Sequence, residues 1–136
     1  MTAPNPESIL DSVKKVLGLD PDFTDFDFDV TMHINTFFVN LQQIGAGPVE
    51  GFSITDNTKL WSDFTDNMMM QSIVQSWLYL KVKQIFDPPA LSFVIDSQNA
   101  LASNLEVRIN MLAEWIAPPT DPFTGKPETI PAGLIN

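Results

Sequence analysis

Residues 68–86, MMMQSIVQSWLYLKVKQIF, followed by Asp87-Pro88-Pro89 and a second long run from Ala90, decide the fold. In the first run Met70, Val74, Leu78, Val82 and Phe86 recur at every fourth position, and Ile73, Trp77 and Leu80 widen the apolar stripe to most of the circumference. That spacing predicts a mainly buried helix. Pro88 and Pro89 remove two amide donors, and Pro88 pushes Asp87 out of helical geometry, so the helix must stop there. The second run sets Leu91, Ile95, Gln98, Ala102, Leu105, Ile109, Leu112 and Ile116 at alternating steps of four and three, a narrow seam suited to one neighbouring helix. Together the runs predict a long αα-hairpin.

Upstream of the hairpin the pattern predicts two more helices. Pro6-Glu7-Ser8 opens a short one in which Ile9, Leu10, Val13, Val16 and Leu17 share a face, Lys14 and Lys15 sit near its negative end, and Gly18 terminates it. Residues 19–29, LDPDFTDFDFD, alternate acids with phenylalanines, which suits the Asp-rich first turn of a helix capped by Thr24 or Asp25. That helix carries Val30, Ile34, Phe37, Leu41 and Ile44, and Gly45-Ala46-Gly47-Pro48 breaks it. From Pro48 to Thr65 the pattern weakens. Val49, Phe52 and Ile54 fit a surface loop or a short β-ribbon, and Trp61 and Phe64, three apart, fit a helical turn capped by Ser62. The expected fold is therefore all-α, a small helical bundle built on the αα-hairpin, with a loop or ribbon near 48–60. Residues 1–116 form the body and 117–136 an extended, proline-rich tail.

A chain of 136 residues is enough for one domain with a real core. Seventeen acidic residues against seven basic ones give a net charge of −10, the wrong sign for gripping nucleic-acid phosphates. Without cysteine there is neither a disulfide framework nor a thiolate site. The opening MTAPNPESIL has no signal-peptide character, and Gln71, Gln75, Lys81 and Lys83 interrupt the apolar run, so a soluble, cytoplasmic chain is expected.

Catalytic chemistry is hard to assemble from these residues. The single histidine, His33, has no second histidine or cysteine to share a metal with. Asp20, Asp22, Asp25, Asp27 and Asp29 are spaced like calcium ligands, but the turn glycine and the closing glutamate are missing and phenylalanines fill the gaps. Gly45-Ala46-Gly47 lacks the rest of a phosphate loop, and no nucleophile elbow is present. No enzyme activity, metal or cofactor is expected. Met68, Met69 and Met70 fit core filling better than a plastic binding surface. Trp115, where the core pattern ends, is the best interface candidate among the tryptophans.

After Trp115 the composition changes to APPTDPFTGKPETIPAGLIN. Proline at this density favours extended backbone, and at roughly 3.1 Å per residue the segment can reach about 60 Å. Pro118, Pro119, Phe123, Ile130 and Leu134 offer spaced anchors. Composition alone is compatible with both a solvated tail and a docking segment.

The order of motifs resembles the head-to-tail connector proteins of tailed bacteriophages, the neck adaptors beneath the portal. The likeness runs over residues 8–113: a short N-terminal helix, an acidic lead-in, MHINTFFVNLQQIGAGP, Gly51-Phe52, Trp61-Ser62-Asp63-Phe64, VQSWLYLKVKQIFDPP and SFVIDSQNALASNLEVRINM. Its most specific part is residues 79–89, helix and turn positions rather than catalytic ones.

The resemblance implies a virion neck protein, present in the host cytoplasm during assembly, whose protomers form a ring, commonly twelve-fold, under the portal. DNA passes through the channel without specific binding, and a stopper or tail-completion protein attaches below; no membrane is involved. An acidic wall suits a channel that must not hold phosphates. The portal-docking candidates are Trp115 and the tail residues Pro118, Pro119, Phe123, Ile130 and Leu134; the subunit-interface candidates are Trp61, Phe64 and Phe52. Two other readings remain: an acidic DNA mimic or regulatory binding protein, and another neck or tail-completion component, expected to be rich in strand.

Overall fold

The computed structural model describes residues 7–116, and over them the chain is all-α. Five helices follow in order: α1 (Ile9–Val16), α2 (Asp27–Gln43), α3 (Trp61–Phe64), α4 (Met68–Phe86) and α5 (Ser92–Ile116). The hairpin of α4 and α5 forms as expected, and α4 is its axis, packing against α1, α2 and α3 as well as α5. Asn67 starts α4 by accepting the Met70 amide at 2.9 Å on its side-chain oxygen, and the helix stops at Asp87, ahead of the prolines.

The buried positions of α4 are Met70, Val74, Trp77, Leu78 and Val82, the fourth-position row plus one tryptophan. Of the three consecutive methionines only Met70 is in the core; Met68 and Met69 are exposed. On α5 the seam holds in its middle, where Ala102, Ile109 and Ala113 are buried and Leu105 and Leu112 partly so. It frays at Leu91, Ile95 and Ile116, which are exposed. With 25 residues against 19, α5 spans about 37 Å and α4 about 28 Å, so α5 outruns its partner.

Ser8 caps α1 through its hydroxyl, which accepts the Asp11 amide, and Gly18 follows the helix at φ +77°, a conformation suited to glycine. At α2 the start differs from expectation. Phe26 occupies the cap position without a side-chain bond, and the Thr24 carbonyl, not its hydroxyl, accepts the Asp27 amide at 3.1 Å. The Asp27 and Asp29 carboxylates in the first turn still oppose the positive end of the helix.

Between α2 and α3 the chain is a loop. Among the described residues there is no strand, only an isolated antiparallel bridge between Ser8 and Leu60. The ribbon is unnecessary because Asn35 replaces a strand neighbour: its amide donates to the Ile54 carbonyl at 2.9 Å and accepts the Ile54 amide at 2.8 Å. That pair holds Ile54 in the core. The short α3 is capped by Asp63, whose carboxylate accepts the Leu60 amide at 2.8 Å, rather than by Ser62.

Candidate assembly surfaces

No group of three or more metal-capable side chains comes together among the described residues. His33 stacks edge-on against Phe86, with ring centres 5.5 Å apart. The aspartate run is divided by Lys14. This lysine is 1% exposed, and its ammonium donates to the carbonyls of Pro21 at 3.1 Å and Phe23 at 2.7 Å and pairs with Asp27 at 2.8 Å. Two of its N–H donors are taken by carbonyls and the ammonium lies against the Asp27 carboxylate as an ion pair, so the acidic segment is folded back over α1. Asp27 is therefore a structural partner of Lys14.

Trp61 and Phe64, expected at a subunit interface, are 2% and 3% exposed inside the protomer. Phe38 stacks on Phe64 at 5.2 Å and meets Phe52 at 5.0 Å, and Phe52 meets Phe64 edge-on at 5.4 Å. The Trp61 indole donates to the Ser12 hydroxyl at 3.1 Å, tying α3 to α1. These rings anchor the 45–60 loop from beneath, and Phe52 is partly buried over them. Gly47 comes close enough that a Cβ there would lie 2.5 Å from the Phe64 ring.

Trp115 lies on the last turn of α5 with 68% of its surface exposed, one residue before the described residues end. Pro118, Pro119, Phe123, Ile130 and Leu134 lie outside the described residues.

Two helix faces carry more apolar surface than a self-contained bundle requires. On α5, Phe93, Val107, Met111 and Trp115 are each more than half exposed, with Leu101 on the flank. Successive helical residues turn by about 100°, so Val107 and Met111, each two positions from buried Ile109, point away from α4. On α2, Phe28, Met32 and Val39 are exposed along a shallow groove that Thr31, Asn35 and Thr36 complete. Sequence reading found the inner seam of α5 and passed over the outer one. The signal was present in the letters, as a second apolar set at helical spacing, half a turn from the first.

A family model described as phage connector protein matches residues 9–115. The chain belongs to the phage connector protein family. The match begins at the first residue of α1 and ends one residue before α5 does, so the whole helical body is connector and the proline-rich segment lies beyond it. Neither a curated protein nor a solved structure matches the chain. Membership gives this connector a structural role in joining phage head and tail. No helix among the described residues is long and apolar enough to cross a membrane.

Proposed function

We propose that this connector is the adaptor of a phage neck, a ring of identical subunits, twelve-fold in symmetry, stacked beneath the portal. The observation that carries this reading is the family match across every helix of the body. The unpartnered faces of α2 and α5 support assembly, since contiguous exposed apolar surface marks interaction sites. The all-α fold favours an adaptor over the strand-rich alternative among neck components.

In this reading the acidic chain lines or borders a channel through which genomic DNA slides, and few phosphate-neutralising contacts hold it back. A stopper or tail-completion protein attaches to the ring on the side away from the portal. Trp61 and Phe64 serve the subunit contact by fixing from beneath the 48–60 loop, through Phe52, which that loop carries. Trp115 and the segment after it, with Pro118, Pro119, Phe123, Ile130 and Leu134, dock on the portal.

The full chain mixed with its cognate portal should co-sediment and show a ring beneath the portal in electron micrographs. A chain that stays monomeric and never joins the portal refutes the reading. Truncation after Ala117 should leave the helical circular dichroism unchanged and abolish portal attachment; melting of the body would mean that the tail is part of the core.

A further inference from the structure

We propose that the pocket at the open end of the α4–α5 hairpin is a receptor for this chain's own C-terminal segment, which seats the Phe123 ring there in the free subunit and yields it to the portal. The self-docking stands on the pocket, and the hand-over rests on the portal reading above.

The start of α4 and the end of α5 meet at this end of the hairpin, and with Gly45, Gly47 and Pro48 they line a pocket of about 260 Å³. Its buried lining is apolar, supplied by Phe64, Met70 and Ala113, while Asp66 and Ile116 are exposed at its edge. The backbone around it is fixed. The Asn110 side chain donates to the Ile44 carbonyl at 2.9 Å, and Gly45 runs so close to α5 that a Cβ there would lie 3.3 Å from that of Ala113. A preformed apolar recess suits one ring, and the thioether of Met70 favours an aromatic neighbour.

The position of Ile116 selects the occupant. It is the last described residue and it lines the pocket, so residue 117 is joined to the chain at the pocket's lip. Pro118 and Pro119 cannot extend a helix, and Pro118 disfavours helical geometry at Ala117. Phe123 is the only aromatic residue after Trp115. It follows Ile116 by seven positions, which at roughly 3.1 Å per residue reach about 22 Å, ample to turn back into the pocket. Trp115 itself is two positions from Ala113 and points to the other side of α5, so it leaves the recess free.

Charge agrees with this occupant. The ionisable residues within two positions of the lining ones are Glu50, Asp63, Asp66 and Glu114, all of them exposed acids. The C-terminal segment carries Asp121 and Glu128 and one base, Lys126. A polyproline helix has three residues per turn, so Phe123 and Lys126 share a face that Asp121 and Glu128 do not. Seating Phe123 therefore brings the lysine toward the acidic edge and leaves both acids turned aside. The same ring cannot fill this pocket and a portal site at once, so portal docking begins with its release.

The chain contains no cysteine, so introduced ones report without background. Asp66→Cys and Thr124→Cys are combined in the full chain, which is oxidised at low concentration and resolved on a non-reducing gel with mass mapping of the linked peptides. The control pairs Thr124→Cys with Met111→Cys, an exposed site on the outer side of α5 within the same reach. The Asp66–Thr124 pair should close within one chain about tenfold faster than the control, because seating raises the local concentration of the second thiol. Adding Phe123→Ser should bring it down to the control rate. Equal rates for the two pairs, or indifference to Phe123→Ser, overturn the proposal. Products that link only different chains overturn it in favour of a second copy as the donor. Cognate portal added to the Asp66–Thr124 variant should slow its closure to the control rate; portal that binds without slowing it overturns the hand-over. Portal that binds nothing refutes the neck reading and leaves the self-docking decided by the first comparison.

Discussion

Replacing Lys14 by methionine tests the tie that holds the acidic segment to the body. The substitution keeps the apolar stem, which is buried in α1, and removes only the ammonium. The carbonyls of Pro21 and Phe23 lose their donor, and the carboxylate of Asp27 loses its counter-charge. Losing one partner of a buried ion pair costs about 3–5 kcal/mol, because the other charge is left behind. Here Asp27 keeps 31% of its side-chain surface, and Phe23 is exposed, so water can recover part of the loss. The expected destabilisation is therefore at the lower end, about 3 kcal/mol. Against a total stability of about 5–15 kcal/mol for a domain this is a large fraction. Urea unfolding followed by tryptophan fluorescence measures it, since Trp61 and Trp77 are both in the core. Adding Asp27→Asn to Lys14→Met should cost less than the sum of the two single changes, because they break the same pair. A Lys14→Met variant within about 0.5 kcal/mol of the parent, the usual range for a surface substitution, would refute the reasoning.

Gly47→Ala should destabilise by about 2 kcal/mol or more in the same assay, because φ is +85° and the new methyl would collide with the Phe64 ring. Asn35→Ala should cost about 2–3 kcal/mol, since both backbone groups of buried Ile54 lose their partner, and amide exchange at Ile54 should speed up ahead of the core helices. The carboxyl of Asp56 sits below the usual carboxylate range, chiefly because the Thr58 hydroxyl and then the Thr58 amide donate to it. A lowered folded-state pKa means that the contribution to stability is complete above the unfolded value of about 4 and is lost as pH falls through the folded one. Protection of the Thr58 amide should follow that acid limb, and Asp56→Ala should abolish it.

The hairpin was legible because its signals are local. The row Met70, Val74, Leu78 and Val82 fixes the inner face and Asp-Pro-Pro stops the helix, while the Asn67 cap, equally local, was passed over. The inner seam of α5 was legible for the same reason, down to Ala102 and Ile109. What escaped depends on the chain returning to itself. A lysine in an amphipathic helix reads as solvated, and nothing local to Lys14 says that Pro21 and Phe23 will turn their carbonyls toward it. Asn35 likewise looks like an ordinary polar position on α2 until Ile54, 19 residues on, is placed beside it. Trp61 and Phe64 drew attention as large aromatics near a loop, and only packing shows that they lie under it. The outer stripe of α5 was obscured by the inner one, since two apolar sets on one helix blur the periodicity that either alone would show.

The fastening of α1 bears on how the connector reaches its folded state. Ser8 donates to the Asn57 carbonyl, Ile9 to that of Lys59, Trp61 to that of Glu7, and the Trp61 indole to Ser12. The two side-chain bonds each span 49 residues. An eight-residue helix is too short to persist alone in water, so α1 gains its stability from partners that a ribosome delivers much later. Helix α1 must therefore wait for residues 57–61, and docking it means closing a long loop. A nascent subunit thus settles α1 only after the chain has reached α3.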